Sequence, residues 1–156
     1  MSVPPPARKK RLTGASRGVA YSINPDALCQ ISSSATFFDN AYNVSIDFDI
    51  GEIDTTAFGD YPYGTSEAGF IKPTMTLSLR SQVGAEDCAF IDERALSREP
   101  FRIAVMRDRA NPAAGGWDMA VVATKVTDSG DFQSAQDLSY TLTLAPSALP
   151  PTRISA

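Results

Sequence analysis

Asn43-Val44-Ser45-Ile46-Asp47-Phe48-Asp49-Ile50 alternates polar and apolar residues without a break. Successive side chains on a β-strand point to opposite faces, so Val44, Ile46, Phe48 and Ile50 share one face and Asn43, Ser45, Asp47 and Asp49 the other. The same period recurs further along the chain. Ile71, Pro73, Met75, Leu77 and Leu79 alternate with Lys72, Thr74, Thr76, Ser78 and Arg80, and Leu138, Tyr140, Leu142 and Leu144 with Ser139, Thr141 and Thr143. Each predicts a half-buried strand of an antiparallel sheet. Phe101, Ile103 and Val105 predict a shorter strand, and 117–126, apolar on both faces over much of its length, a more central one. Weaker strands are expected within 17–23 and 28–38.

One segment departs from this rhythm. Cys88, Ile91 and Ala95 fall at helical spacing, Ala89 and Leu96 widen the stripe, and Glu86, Asp87, Asp92, Glu93 and Arg94 are expected to face solvent. Acids at the start and Arg94 and Arg98 near the end suit the helix dipole, and Pro100 blocks continuation. The fold class is therefore mainly β (α+β), a sandwich or half-barrel with one flanking helix.

The ends differ from this body. Pro4, Pro5 and Pro6 open the chain and Pro146, Pro150 and Pro151 close it, a density that disfavours ladder hydrogen bonds. The expected organisation is a basic, proline-rich arm (1–17), a β domain (18–145) and a proline-rich C-terminal arm (146–156). Of the 14 Lys and Arg residues, Arg8, Lys9, Lys10, Arg11 and Arg17 lie in the first arm with no acid, so the rest of the chain carries a net −9. An acidic body makes a poor non-specific binder of DNA, whose affinity comes from phosphate neutralisation. Between the strands ending near Ile53 and beginning near Gly69 runs a loop longer than the two to five residues usual for hairpins. Its Phe58, Asp60, Tyr61, Pro62 and Tyr63 suit a surface that another molecule covers.

Composition argues against several classes. No apolar run reaches the ~18 residues a membrane-spanning helix needs. Residues 1–11 lack the apolar stretch of a secretory signal, so folding in the cytoplasm is the expectation. The chain has no histidine, which removes the commonest general base and transition-metal ligand. Asp47 and Asp49 are a weak candidate carboxylate pair, since any polar strand face with two acids has that spacing. Gly14-Ala15-Ser16-Arg17-Gly18 lacks the lysine of a phosphate loop, Asp128, Gly130 and Asp131 lack the remaining ligands of a calcium loop, and Gly115-Gly116 reads as a turn. Cys29 and Cys88, far apart, read as buried thiols. No catalytic residue, metal or cofactor is expected.

The order of elements over residues 41–145 resembles the major tail tube protein of long-tailed bacteriophages, similar in fold to contractile-phage and type VI secretion tube proteins. The likeness is carried by Ile50-Gly51-Glu52-Ile53-Asp54-Thr55-Thr56-Ala57-Phe58-Gly59-Asp60, a strand running into a long loop, and by 70–80, the strand returning. The helix within 87–96, the strand after it (100–105) and a closing hairpin over 118–144 that turns at Asp128-Ser129-Gly130-Asp131 complete it. The resemblance implies hexameric rings stacked into a hollow virion tail through which DNA passes without specific binding. It also implies a tape measure protein and a tail terminator as further partners, and no membrane. On that basis Asp47, Asp49, Thr76, Ser78, Arg80, Thr141 and Thr143 are expected to face the lumen, Arg80 with Asp47 or Asp49 as a cross-strand partner. Phe58, Asp60, Tyr61, Pro62 and Tyr63 are expected between rings, and Arg8, Lys9, Lys10 and Arg11 in arm contacts. A tail terminator or head-tail joining ring is the alternative, and a monomeric β-sandwich binding module the second.

Overall fold

A computed structural model describes residues 17–29, 35–57, 59, 64, 66–130 and 136–154. They form β1 (Gly18–Ser22), β2 (Ala41–Asp54), β3 (Ser66–Arg80), α1 (Glu86–Ser97), β4 (Phe101–Met106), β5 (Gly116–Ser129), β6 (Asp137–Leu144) and β7 (Thr152–Ile154). The strands make one sheet in the order β1-β4-β5-β6-β3-β2, with β7 added on β5, and every pairing is antiparallel. A mainly β fold with a single helix is what the alternating sequence predicts.

β5 divides this sheet into two layers. Its first half lies between β4 and β7, whereas from Val121 onward it pairs with β6. The register shifts between Ala123 and Lys125, and the extra residue of such a bulge bends a strand. One layer is thus β1, β4, the start of β5 and β7; the other is β2, β3, β6 and the rest of β5. Met75, Leu77, Leu79, Tyr140 and Leu142 of the second layer share a core with Phe101, Ile103, Met119 and Val121 of the first. Each such fully buried apolar side chain contributes roughly 1.5–3 kcal/mol. β4 is buried on both faces, its Ala104 and Met106 belonging to a smaller cluster with Ala20, Cys29 and Ile154.

α1 packs through Cys88 and Ile91; Ala89, expected to widen that stripe, is exposed because it lies 200° around the helix from Ile91, and two further expectations are corrected. Leu96, placed on the apolar stripe from its sequence, is 86% exposed, because five residues at 100° each carry it about 140° around the helix from Ile91. Asp87, expected in solvent, is buried: it accepts hydrogen bonds from the Asn40 amide (3.0 Å) and Asn40 Nδ2 (2.8 Å). Those bonds tie the start of β2 to the helix.

The outer edge of β1 is covered rather than open. The Tyr21 amide donates to the Thr36 carbonyl at 3.0 Å and the Phe38 amide to the Val19 carbonyl at 2.8 Å. The weak strand expected over 28–38 is, among the described residues, only the isolated bridge Ala20↔Phe37; residues 30–34 lie outside the description. The C-terminal stretch folds back on its own domain. Arg102 Nη1 donates to the Leu149 carbonyl (3.0 Å), Nη2 to the Pro150 carbonyl (3.2 Å), and β7 then joins β5. A strand of three residues is too short to announce itself by alternation. Gly115-Gly116 makes the expected turn with φ of 92° and 151°, and a Cβ on Gly116 would stand 2.1 Å from the Val105 carbonyl oxygen.

Candidate assembly surface

The register of the second layer aligns its polar side chains in rows. Asn43 stands opposite Ser78, Ser78 opposite Ser139, and Ser139 opposite Thr127. Ser45, Thr76, Thr141 and Lys125 form the next row, and Asp47, Thr74, Thr143 and Val122 the third. Asp49, opposite Lys72, follows. Asp47, Asp49, Thr76, Ser78, Thr141 and Thr143 therefore share one face, and all but the buried Ser78 retain exposure.

This face is less acidic than its sequence suggests. Lys72 and Lys125 stand on it with Asp47 and Asp49, amid a majority of serine and threonine. Arg80 has the parity of Ser78 but lies at the end of β3, in register with Asp137, its guanidinium 4.8 Å from the centre of the Tyr42 ring. Asp47 is opposite Thr74 and Asp49 opposite Lys72; neither is the cross-strand partner of Arg80, because the hairpin register separates them along the strand.

The reverse face of the same layer is apolar, and part of it lacks cover. β6 pairs only with 74–80 of β3, so beyond Thr74 the β2–β3 hairpin projects as a two-stranded ribbon. Such a ribbon is at best marginally stable alone, and here Ile50 and Ile71, directly opposite each other, are 54% and 57% exposed. At its base Phe48 packs on Trp117 with ring centres 4.8 Å apart, beside an open apolar cleft of about 500 Å³ walled by Ile50, Ile71, Pro73, Leu144 and Pro151. Large contiguous exposed apolar patches are characteristic of contact surfaces.

β2 pairs with β3 alone, and β6 and β7 follow one another along the same side of β5. On its other side β5 has β4 only as far as Val121. Among the described residues, the outer side of β2 and the 122–129 side of β5 have no ladder partner. These are the two ends of one four-stranded layer.

Away from this surface the charged groups are structural. Arg102 Nε meets Asp118 Oδ1 at 2.5 Å with both side chains buried, and the other Asp118 oxygen accepts the Cys29 amide at 2.9 Å. Burial raises the Asp118 carboxyl above its ordinary range although Arg102 and the Cys29 amide pull it down. Burial, reinforced by Asp118, pushes the Cys29 thiol up to about 12, so it stays protonated and unreactive. Cys88 is likewise a free, buried thiol. The buried pair escaped the sequence reading because an arginine within an alternating strand reads as a solvent-facing position. No group of three or more potential metal-binding side chains occurs among the described residues. Arg8, Lys9, Lys10 and Arg11, and the loop residues Phe58, Asp60, Tyr61, Pro62 and Tyr63, lie outside the description.

No family profile matches the sequence and no curated protein does; the likeness is one of fold. The chain superposes on a protein of the tail of an empty gene transfer agent particle with six-fold symmetry at a TM-score of 0.70, 11% identity, covering 94% of this chain and 100% of that one. The SPP1 tail tube protein gives 0.67 at 9% identity, over 94% of this chain and 80% of that one. A chain of the sheath-tube complex of an extracellular contractile injection system gives 0.61 at 16% identity, over 94% and 93%. The fold of this chain is that of a tail tube protein.

Proposed function

We propose that the chain is the repeating subunit of a virion tail tube, a structural protein whose copies close into hexameric rings and stack around a channel that DNA traverses. The observation that carries this reading is the four-stranded layer with one hydroxyl-rich face and two open ends. An exposed strand edge is an aggregation hazard unless something pairs with it, and joining β5 of one copy to β2 of the next removes both at once. The chemistry of direction agrees. Neighbouring strands in β2-β3-β6-β5 are antiparallel, so an even number of them leaves β5 antiparallel to the β2 of a copy related by rotation. Every seam is then an ordinary antiparallel ladder.

In such a closed barrel the polar face, with Asp47, Asp49, Thr76, Ser78, Thr141 and Thr143, lines a water-filled bore. Hydroxyls with balanced charges hydrate that wall while offering a polyanion little net attraction. The apolar reverse, with Ile50 and Ile71 on the projecting hairpin, is covered by neighbouring copies. A tape measure protein and a tail terminator are the further partners implied.

Electron microscopy of the purified protein tests the reading. Hollow rods with six-fold symmetry and a regular axial repeat are expected. Single rings that never stack would point instead to a terminator, and a monomer at every concentration and salt to a binding module.

A further inference from the structure

We propose that Lys125 on β5 of one copy pairs with Asp47 on β2 of the next, and that this ion pair sets the register of the seam between subunits. The inference rests on the edge-to-edge closure just described. Lys125 and Asp47 are both exposed, lie on the same face of the same layer, and occupy its two opposite outer strands. Neither has an ion-pair partner among the described residues. Asp49, the next acid along the same face of β2, already faces Lys72 across its own hairpin.

Placing Lys125 opposite Asp47 on an antiparallel partner aligns the polar face over 125–129, while on the reverse face Asp128 falls opposite Val44. Thr127 then meets Ser45 and Ser129 meets Asn43, so the polar face continues across the seam with hydrogen-bonding side chains in contact. On the reverse face Val126, 47% exposed in the single copy, meets Ile46. A slip by one residue would turn Val126 into the polar face. A slip by two leaves the faces intact and is resisted only by the charges, moving Lys125 to Ser45 or to the already matched Asp49. An exposed pair of this kind is individually weak. It recurs at every seam of a ring, so its effect on assembly multiplies.

The test is charge reversal in the full chain, read by sedimentation and electron microscopy, with circular dichroism melting to verify each monomer. Lys125→Glu and Asp47→Lys are each expected to raise the concentration needed for rods by about tenfold or more, the ratio that ~1.4 kcal/mol produces. Lys125→Glu combined with Asp47→Lys restores it to near the unmodified value. Lys125→Glu combined with Asp49→Lys does not. Unmodified protein forming rods while Lys125→Glu forms them equally well, or rescue by Asp49→Lys in place of Asp47→Lys, overturns the pairing and leaves the tube reading standing. Unmodified protein that never assembles overturns both.

Discussion

Arg102 and Asp118 lie two residues out of register on the adjacent strands β4 and β5, Arg102 opposite Ala120 and Asp118 opposite Ala104, with Nε to Oδ1 at 2.5 Å and both side chains buried. The guanidinium also binds the carbonyls of Leu149 and Pro150, so one buried charge pair holds the C-terminal stretch against the first layer. Removing one member leaves the other charged and unpaired in the interior. Arg102→Ala is expected to cost about 3–5 kcal/mol, seen as a lower urea midpoint with the slope unchanged. Replacing both residues, as Arg102→Met with Asp118→Leu, should recover a large part of that loss.

Cys29 carries a pH dependence of definite sign. Its pKa rises from 9.0 to about 12 on folding, so the folded state keeps a proton that the unfolded state releases. The stability linked to it is complete below pH about 9 and is lost as pH climbs toward 12. Tyr140, raised by burial and by its hydrogen bond to Asp92, acts in the same direction. Thermal melts between pH 8 and 11 should show a falling midpoint, and Cys29→Ala should lessen the fall. At pH 8 a thiol reagent should modify Cys29 only at the rate of unfolding.

Gly116 is required by geometry. Its φ of 151° and the approach of the Val105 carbonyl leave no room for a side chain. Gly116→Ala is expected to destabilise the domain by about 2–3 kcal/mol, whereas Gly84→Ala, in open space at φ 74°, should cost nearer 1 kcal/mol. Chemical denaturation of the two variants side by side provides the comparison.

Ile71 separates folding from assembly. It is more than half exposed in the single copy, so Ile71→Asp should shift monomer stability by only about 0.5 kcal/mol. In the proposed assembly the same change places a carboxylate in an apolar contact between copies, and rods should be lost at concentrations where the unmodified chain forms them. Microscopy alongside a melting curve reads both effects. Rods that persist would place the hairpin's apolar face outside the contact between copies.

The two-sided strands were legible because their period of two survives any tertiary context: Val44 to Ile50, Ile71 to Leu79 and Leu138 to Leu144 each alternate without interruption. Burial on one face is a local property of the pleat, so the shared face of Asp47, Thr76 and Thr141 needed only correct registers. Asp87 was illegible for the opposite reason, since its burial depends on Asn40, which the chain brings to the helix from far away.

By itself, then, the amino-acid order determined a mainly β domain with one helix, a wet and a dry side to each long ribbon, and the absence of histidine chemistry. Tertiary structure alone decided which side of β5 Lys125 occupies. Before the bulge, the odd-numbered Trp117, Met119 and Val121 stand on the core face; after it, that face is taken by the even-numbered Val126, opposite Tyr140 and still 47% exposed. That reversal is set by pairing with Leu142 and Thr141 on β6, a partner that no periodicity within β5 can specify.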